Sequence, residues 1–345
     1  MEELELAIKE LKELLPGLKI LENEPMSAHC SFKTGGPARA VAVPSDVFSL
    51  SRICSVMKKH KIFPMALGNG TNFLFPDEGL PDMLFISTEK LQKIFLNEDG
   101  TIYAESGVSL AKLSGFAQQH GLKGLEFASG IPGTVGGGIW MNAGAYGGEM
   151  KDAVQSVVYY FYPDQGLYEQ LGKDCQFGYR TSFFQKNPAI ILSAVFALDK
   201  DDPEAIASRM REINEKRRAK QPLDLPSAGS AFKRPEGHYA AALIEECGLK
   251  GYRNGNAQVS DKHAGFVVNL GGATSKDVYD LMMHVRNEVY AQKQVELHPE
   301  IIILPPDYKL TDTSPAAPKN VTFTNGDYEK TAGGTGTSAA KEENQ

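Results

Sequence analysis

Long apolar runs, a basic surplus and closely spaced cysteines are all missing from this sequence of 345 residues. No apolar run approaches the roughly 18 residues of a membrane-spanning helix, and the charged N-terminus has no uninterrupted apolar core like that of a signal peptide. Lysine and arginine total 36 against 43 aspartates and glutamates, which leaves no cationic surplus to neutralise a nucleic-acid backbone. We therefore expect a cytoplasmic protein that binds neither membrane nor nucleic acid.

Cysteine is scarce, and its spacing excludes two further classes of protein. The four cysteines, at positions 30, 54, 175 and 247, are far apart and form no C-x-x-C motif. Such a pattern indicates neither a disulfide framework nor a zinc site. We interpret the four as small apolar side chains in a reducing compartment, and we expect no bound metal.

Two common nucleotide-binding signatures are also missing. The pattern G-x-x-x-x-G-K-[ST] occurs nowhere, and no G-x-G-x-x-G opens a helix within a βαβ unit. Glycine is nevertheless concentrated in "LGNGTNFLF" (67–75) and in "SGIPGTVGGGIWMNAGAYG" (129–147), where seven of 19 residues are glycine. Glycine lets a ligand approach the backbone closely, and runs of backbone amides form anion sites suited to a pyrophosphate.

Two alternatives to a ligand site remain for the longer glycine-rich segment. A flexible linker is a poor explanation, because Ile131, Val135, Ile139 and Trp140 are apolar side chains that need burial. Tight packing of the backbone without any ligand stays open as the second alternative.

Hydrophobic periodicity divides the chain into five parts. A predicted N-terminal helix is followed by a short βαβ alternation, a strand-rich region, a region of alternating helices and strands, and a polar tail. The tail has too few apolar side chains to offset the entropy of ordering, so we predict disorder there. The parts are the N-terminal helix (1–17), a first unit (18–80), a second unit (81–202), a third unit (203–307) and the tail (308–345).

Seven motifs give a more specific indication. They are "SFKTGGPA", "LGNGTN", "ASGIPGTVGGGIWMNAGAYG", "FGYRTSFF", "AGSAFKRP", "VSDKHAGFVVN" and "LHPEI", in that order over residues 31–301. Together they resemble the UDP-N-acetylenolpyruvoylglucosamine reductase family, flavoenzymes of bacterial peptidoglycan precursor synthesis. The resemblance implies an α+β fold. The first two units would form a two-part FAD-binding region of the vanillyl-alcohol-oxidase type, and the third unit would bind substrate.

The resemblance also implies a reaction in two halves. NADPH reduces non-covalently bound FAD, and flavin N5 then delivers hydride to C3 of the enolpyruvyl ether of UDP-N-acetylglucosamine. Protonation of C2 completes UDP-N-acetylmuramate.

The residues that would carry this chemistry are matched motif by motif. Arg180 would bind the substrate carboxylate, since a guanidinium forks a carboxylate and keeps its proton. Ser230 would protonate C2, because even a weak acid can protonate a strongly basic carbanion when its rotamer is fixed. Glu300 would help stabilise the enolate, either protonated or through hydrogen bonding.

The binding residues follow from the same motifs. For FAD they are Gly68, Asn69, Gly70, Thr71, Asn72, Gly130, Ile131, Pro132, Gly133, Gly136, Gly137, Asn142 and Ala143. For the substrate they are Tyr179, Lys233, Arg234 and His263. Many family members carry asparagine where Arg234 stands, and His263 fits a capped turn equally well.

Two features separate this chain from possible relatives. Some family members carry a tyrosine-bearing insertion after the Tyr-Arg-x-Ser motif that folds over the uridine. Here "TSFFQKNPAIILSAVFALD" continues directly into a strand, which indicates a shorter subclass whose uridine contacts the sequence does not identify. Neither glycine-rich segment contains histidine or cysteine, which argues against an oxidase with covalently attached flavin.

A catalytically inactive nucleotide-sugar sensor is the other alternative. The joint presence of Arg180, Ser230 and Glu300 argues against it. We expect a monomer whose partners are small molecules, namely the nucleotide-sugar substrate and NADPH.

Overall fold

Helices and strands alternate along a computed structural model that describes residues 2–163, 166–306 and 322–323. The α+β class is confirmed. The helices of the described residues are α1 (Glu2–Leu14), α2 (Val47–Lys59), α3 (Leu110–Gln119), α4 (Val135–Trp140), α5 (Phe183–Lys186), α6 (Pro203–Lys220), α7 (Ala240–Glu246) and α8 (Ser275–Lys293). None of these is long and apolar enough to cross a bilayer.

The strands are short and numerous. In the first half of the chain they are β1 (Lys19–Pro25), β2 (Pro37–Val43), β3 (Met65–Leu67), β4 (Phe73–Leu74), β5 (Leu80–Ser87), β6 (Ile94–Leu96), β7 (Ile102–Glu105), β8 (Leu122–Lys123), β9 (Gly144–Ala145) and β10 (Gly148–Glu149). In the second half they are β11 (Val154–Phe161), β12 (Gly166–Leu171), β13 (Ala189–Phe196), β14 (Asp199–Lys200), β15 (Ser227–Ser230), β16 (Arg253–Asn254), β17 (Ala257–Val259), β18 (Phe266–Asn269), β19 (Ile302–Ile303) and β20 (Thr322–Phe323).

The first unit is a four-stranded sheet covered by two helices. It includes β5 (Leu80–Ser87), which the predicted boundary at residue 80 assigns to the second unit. Its strand order is β1-β2-β5-β3, with β2 and β3 parallel to β5 and β1 antiparallel to β2. The predicted N-terminal helix is present and buries Leu4, Ile8 and Leu11 at helical spacing. Asp46 begins α2 by accepting a hydrogen bond from Ser49 N at 2.7 Å, the start signal of a capping box.

The second unit is an antiparallel sheet of order β20-β12-β11-β13-β7-β6. Successive side chains of a strand point to opposite faces, and β11 buries apolar side chains on both of its faces. Val157 and Tyr159 pack in the apolar cluster beneath α3 and α4. Val158 and Tyr160 pack in the cluster shared with α1 and α2. The strand therefore joins the first and second units.

The third unit shares its core with the first unit. One apolar cluster contains Phe75 and Phe85 of the first unit together with Val267 and Val285 of the third. The carboxylate of Asp77 accepts hydrogen bonds from the amides of Ser275 and Lys276 at 2.8 and 2.9 Å, which satisfies free donors at the start of α8. These contacts fix the third unit against the first.

The helix that opens the predicted third unit packs elsewhere. α6 lies against α3 and against the 3-10 helix Glu126–Ala128 of the second unit. Arg209 of α6 pairs there with Glu126 at 2.8 Å. The prediction places α6 in the substrate domain, whereas its partners belong to the second unit.

The predicted disorder of the tail falls mostly outside the described residues. Within the tail, β20 pairs antiparallel with Leu167–Tyr168 of β12, which departs from the prediction. The edge of a sheet offers unpaired backbone groups that a further strand can satisfy. The run "VTFT" around β20 has the β-branched and aromatic composition of a strand.

Candidate active site

The two glycine-rich segments lie against each other. Asn69 Nδ2 donates to the carbonyl of Pro132 at 3.4 Å. A Cβ at Gly68 would come within 2.5 Å of Thr134 Oγ1, so the close approach of residue 68 to Thr134 requires glycine. The segments are more than 60 residues apart in the sequence, and the fold brings them together as one surface.

Part of the glycine content of the longer segment serves packing. Thr134 begins α4, and its Oγ1 accepts a hydrogen bond from Gly137 N at 3.4 Å. Gly136 N donates to Ser106 O at 2.8 Å, and a Cβ there would lie 2.9 Å from Ser106 Cβ. Val135 and Ile139 are fully buried beneath the segment. Tight packing of the backbone, the second alternative in the sequence analysis, therefore explains why glycine stands at position 136.

Two other glycines have no packing reason. The nearest atoms to a Cβ at Gly133 or Gly137 lie 3.6 Å away, an ordinary van der Waals distance, and neither residue has a positive φ. The amides of Asn69 and Thr71, across from them, donate to no acceptor among the described residues. The backbone at these positions is therefore open to close approach from outside the protein.

The remaining predicted cofactor residues have mixed surroundings. Asn142 is fully buried, and its side chain is used within the protein. Its Nδ2 donates to Glu149 and to the carbonyl of Gly178 at 2.8 and 2.9 Å, and its Oδ1 accepts from Lys151 N at 3.0 Å. Its side chain therefore positions the turn before Arg180. Ile131 and Ala143 are partly buried against the core of the second unit.

Arg217 is a cation beside the longer glycine-rich segment that the sequence analysis did not single out. Its side chain packs against Gly130, where a Cβ would lie 2.5 Å from Arg217 Cδ. Burial lowers the pKa of the guanidinium, and Arg217 forms no ion pair with any described residue. The helical spacing of Asn214 and Arg217, which both reach Ser129–Gly130, is the signal that would have identified it.

Arg180 and Glu300 form an ion pair across the units. Arg180 Nε donates to Glu300 Oε1 at 2.6 Å, and Arg180 Nη2 donates to the carbonyl of Gly144 at 3.1 Å. The two side chains are only 20% and 14% exposed. Gln185 supports the turn by donating to the carbonyl of Arg180 at 2.9 Å. Two of the predicted catalytic residues thus meet, although they are 120 positions apart.

A backbone hydrogen bond connects the residue that follows Ser230 to Glu300 of this pair. The amide of Glu300 donates to the carbonyl of Ala231 at 2.9 Å, directly after Ser230. Asn72 of the shorter glycine-rich segment donates to the carbonyl of Glu300 at 3.1 Å. The parallel pairing of β19 with β4 holds this arrangement. All three predicted catalytic residues therefore lie where the glycine-rich surface meets the third unit.

The predicted substrate residues form two groups. Tyr179 accepts a hydrogen bond from Arg234 N at 3.1 Å, and Lys233 N donates to the carbonyl of His298 at 2.8 Å, so the backbone of both cationic residues lies near the Arg180 pair. The His263 ring instead accepts from Gly265 N at 3.1 Å, and burial lowers the pKa of its imidazole. The capped turn is the arrangement that the structure shows for His263.

Two family models match separate parts of the chain. Residues 38–164 match the family described as FAD binding domain. Residues 221–304 match the C-terminal domain of UDP-N-acetylenolpyruvoylglucosamine reductase, a match that begins after α6. The chain therefore contains an FAD-binding domain and is an oxidoreductase.

Relatives that align over most of the chain define the family. A UDP-N-acetylenolpyruvoylglucosamine reductase of Alkaliphilus oremlandii is 44% identical over 86% of this chain and 97% of its own length. One from Caldanaerobacter subterraneus is 44% identical over 87% of the chain and 98% of its own length. The crystal structure of the reductase from Thermus caldophilus aligns with a TM-score of 0.71 at 32% identity, covering 84% of this chain and 99% of that one. The chain belongs to the UDP-N-acetylenolpyruvoylglucosamine reductase family.

Proposed function

We propose that this protein reduces UDP-N-acetylenolpyruvoylglucosamine to UDP-N-acetylmuramate with NADPH as reductant and non-covalently bound FAD as carrier, in peptidoglycan precursor synthesis. The observation that carries the proposal is the Arg180–Glu300 pair beside Ser230, at the junction of the FAD-binding domain and the C-terminal domain. A cation and a hydroxyl donor together suit a reaction that places negative charge on a carboxylate-bearing carbon.

The glycine-rich surface fits FAD. Bare backbone at Gly133 and Gly137, amides of Asn69 and Thr71 without protein acceptors, and the cation of Arg217 all suit a pyrophosphate. When bound, the flavin supplies hydride to C3 of the enolpyruvyl group. The chain itself supplies the surroundings in which that hydride is accepted.

Arg180 would hold the enolpyruvyl carboxylate. Its Nε and Nη2 are engaged by Glu300 and Gly144, which fixes the plane of the guanidinium. Its Nη1 makes no hydrogen bond to the described residues. A fixed guanidinium stabilises the charge that develops on the carboxylate side of the double bond without reorganising.

Ser230 would donate a proton to C2. It ends β15 directly after Gly229, whose φ of +76 turns the chain at this point. The resulting serine alkoxide regains a proton from water. Glu300, held by Arg180 Nε and by Asn72 through its carbonyl, would fix the position of the guanidinium relative to the serine. In its protonated form it would also donate a hydrogen bond to the enolate, which an ionised carboxylate cannot do.

The two half-reactions test the proposal separately. The purified protein should be yellow, release its flavin on denaturation, and oxidise NADPH far faster when the enolpyruvyl substrate is present. Ser230→Ala should still be reduced by NADPH, whereas reoxidation by the substrate should fall by about 100-fold or more because the general acid is gone. Stopped-flow absorbance of the flavin measures both rates.

Ser227→Ala is the matched control, since Ser227 lies on the same strand as Ser230. It should leave both half-reactions intact. Equal loss of both half-reactions in Ser230→Ala would show a structural role for Ser230. A protein that cannot bind flavin at all would contradict the cofactor assignment.

A further inference from the structure

The thioether of Met141 lies between two side-chain amides. Asn72 Nδ2, from the first unit, donates to Met141 Sδ at 3.7 Å. Gln185 Nε2, from α5 of the second unit, donates to the same sulfur at 3.4 Å. A thioether sulfur is a weak acceptor, and here donors from two units converge on one. Met141 therefore makes polar contacts that its apolar side chain does not lead one to expect.

Each of these amides also holds one member of the catalytic pair. Asn72 Nδ2 donates to the carbonyl of Glu300 at 3.1 Å, and Gln185 Nε2 donates to the carbonyl of Arg180 at 2.9 Å. An amide nitrogen carries two hydrogens, so Asn72 can donate to Glu300 and to Met141 at the same time. The sulfur thereby favours the orientation in which the Asn72 nitrogen, and not its oxygen, faces the carbonyl of Glu300.

Core packing does not account for Met141. The residue is half-buried, and it belongs to none of the three apolar clusters formed by the described residues. The preceding Trp140 packs against the core of the second unit. The amide of Met141 donates to the carbonyl of Gly137 at 3.1 Å at the end of α4. Its backbone is therefore fixed by the helix, while its side chain contacts the two amides.

We propose that Met141 is a positioning residue for the reduction of the substrate. Its sulfur orients Asn72 and Gln185, which hold the catalytic pair. The proposal rests on the proposed function, which gives that pair its role. Loss of the sulfur removes the acceptor of one Asn72 hydrogen in a partly buried place, and such a loss costs free energy. The carboxamide of Asn72 can then turn toward another partner, and Glu300 loses its support.

The variant Met141→Leu tests the sulfur, because leucine keeps a similar volume and removes the acceptor. Reduction of the flavin by NADPH should keep its wild-type rate. Reoxidation by the enolpyruvyl substrate should slow by about 5- to 100-fold, the usual effect of a buried donor left without an acceptor. Met141→Gln returns an acceptor on a side chain of similar length and should restore most of the reoxidation rate. Stopped-flow absorbance of the flavin measures each rate.

The matched control is Met150→Leu, since Met150 lies in the same unit but is fully buried in its core. It should leave both half-reactions intact. Wild-type reoxidation in Met141→Leu would overturn the proposal. Equal slowing of both half-reactions would also overturn it, because the damage would then extend to the flavin surface. A Met141→Gln variant as slow as Met141→Leu would show that the shape of the side chain matters and its acceptor does not.

Crystal structures of the two Met141 variants separate this proposal from the proposed function. In Met141→Leu, Asn72 Nδ2 should have left the carbonyl of Glu300, and in Met141→Gln this contact should be kept. The same pair of structures from a protein that never turns over the enolpyruvyl substrate would support the role of Met141 and contradict the proposed function. An unchanged contact between Asn72 and Glu300 in Met141→Leu would overturn the positioning role.

Discussion

Arg180 has a backbone conformation that side-chain-bearing residues rarely adopt, with φ at 53°. Such conformations persist where surrounding contacts impose them, and they cluster at functional sites. Here Gln185 holds the carbonyl of Arg180, while Gly144 and Glu300 hold its guanidinium. The Tyr-Arg-x-Ser motif therefore specifies a strained turn as well as a cation.

Arg217 gives a test at the same scale. Arg217→Gln should weaken FAD binding by about 10- to 100-fold, because a hydrogen bond between charged groups contributes about 1.5–3 kcal/mol. The flavin-free protein should be no less stable, since the substitution removes a desolvated cation that has no carboxylate partner among the described residues. Flavin titration and thermal unfolding of the apoprotein measure the two quantities.

The neighbouring exposed cation provides the control for Arg217. Arg218→Gln removes the same charge from the same helix end but from an exposed position, and it should leave FAD affinity unchanged. If both variants lose FAD equally, the effect comes from net charge near the site. An apoprotein destabilised by Arg217→Gln would instead show that the guanidinium has a structural partner.

At the scale of elements, the segment at 129–147 combines two kinds of glycine. Gly136 packs against Ser106, and the buried side chains of Val135 and Ile139 anchor α4 from below. Gly133 has space around it and faces Thr71 of the shorter segment. One part of the segment is therefore a tightly packed helix start, and another part is exposed backbone. The composition of the segment did not distinguish these two kinds of glycine.

A pair of substitutions tests that division. Gly133→Val should expel FAD while the apoprotein keeps nearly the same melting temperature, because the protein leaves room for a Cβ at this position. Gly136→Val should instead lower the free energy of unfolding by about 1–3 kcal/mol through overpacking against Ser106. Flavin content and apoprotein melting curves distinguish the two. Equal melting temperatures for both variants would contradict the division.

At the scale of the whole molecule, the candidate active site lies where the three units meet. Arg180 comes from the second unit, Asn72 from the first, and Glu300 and Ser230 from the third. The first and third units share one apolar core, and β11 joins the second unit to the first. Each predicted catalytic residue therefore belongs to a packed unit.

None of the predicted site residues lies in the C-terminal tail. Removal of residues 309–345 should leave flavin content, kcat and KM unchanged. It should lower the free energy of unfolding by no more than about 0.5–1 kcal/mol, since β20 adds two residues to the edge of β12. Steady-state kinetics and denaturant unfolding of the truncated chain measure this. Lost activity would show that the tail belongs to the catalytic fold.

The sequence by itself determined the local and chemical features of this protein. The capping signals and helical periodicity of α1 and α2, the two glycine-rich segments, and the motifs around Arg180, Ser230 and Glu300 all depend on neighbouring residues, so they can be read directly. The α+β class and the family followed from them, and the comparisons confirmed both.

Only the tertiary structure decided which residues meet. It joined Arg180 to Glu300, assigned α6 to the second unit, turned the Asn142 side chain inward, and placed Arg217 beside Gly130. It also placed the sulfur of Met141 between the amides of Asn72 and Gln185. These relations join residues far apart in the chain, and they arise from burial of shared apolar clusters, which no local pattern of sequence records.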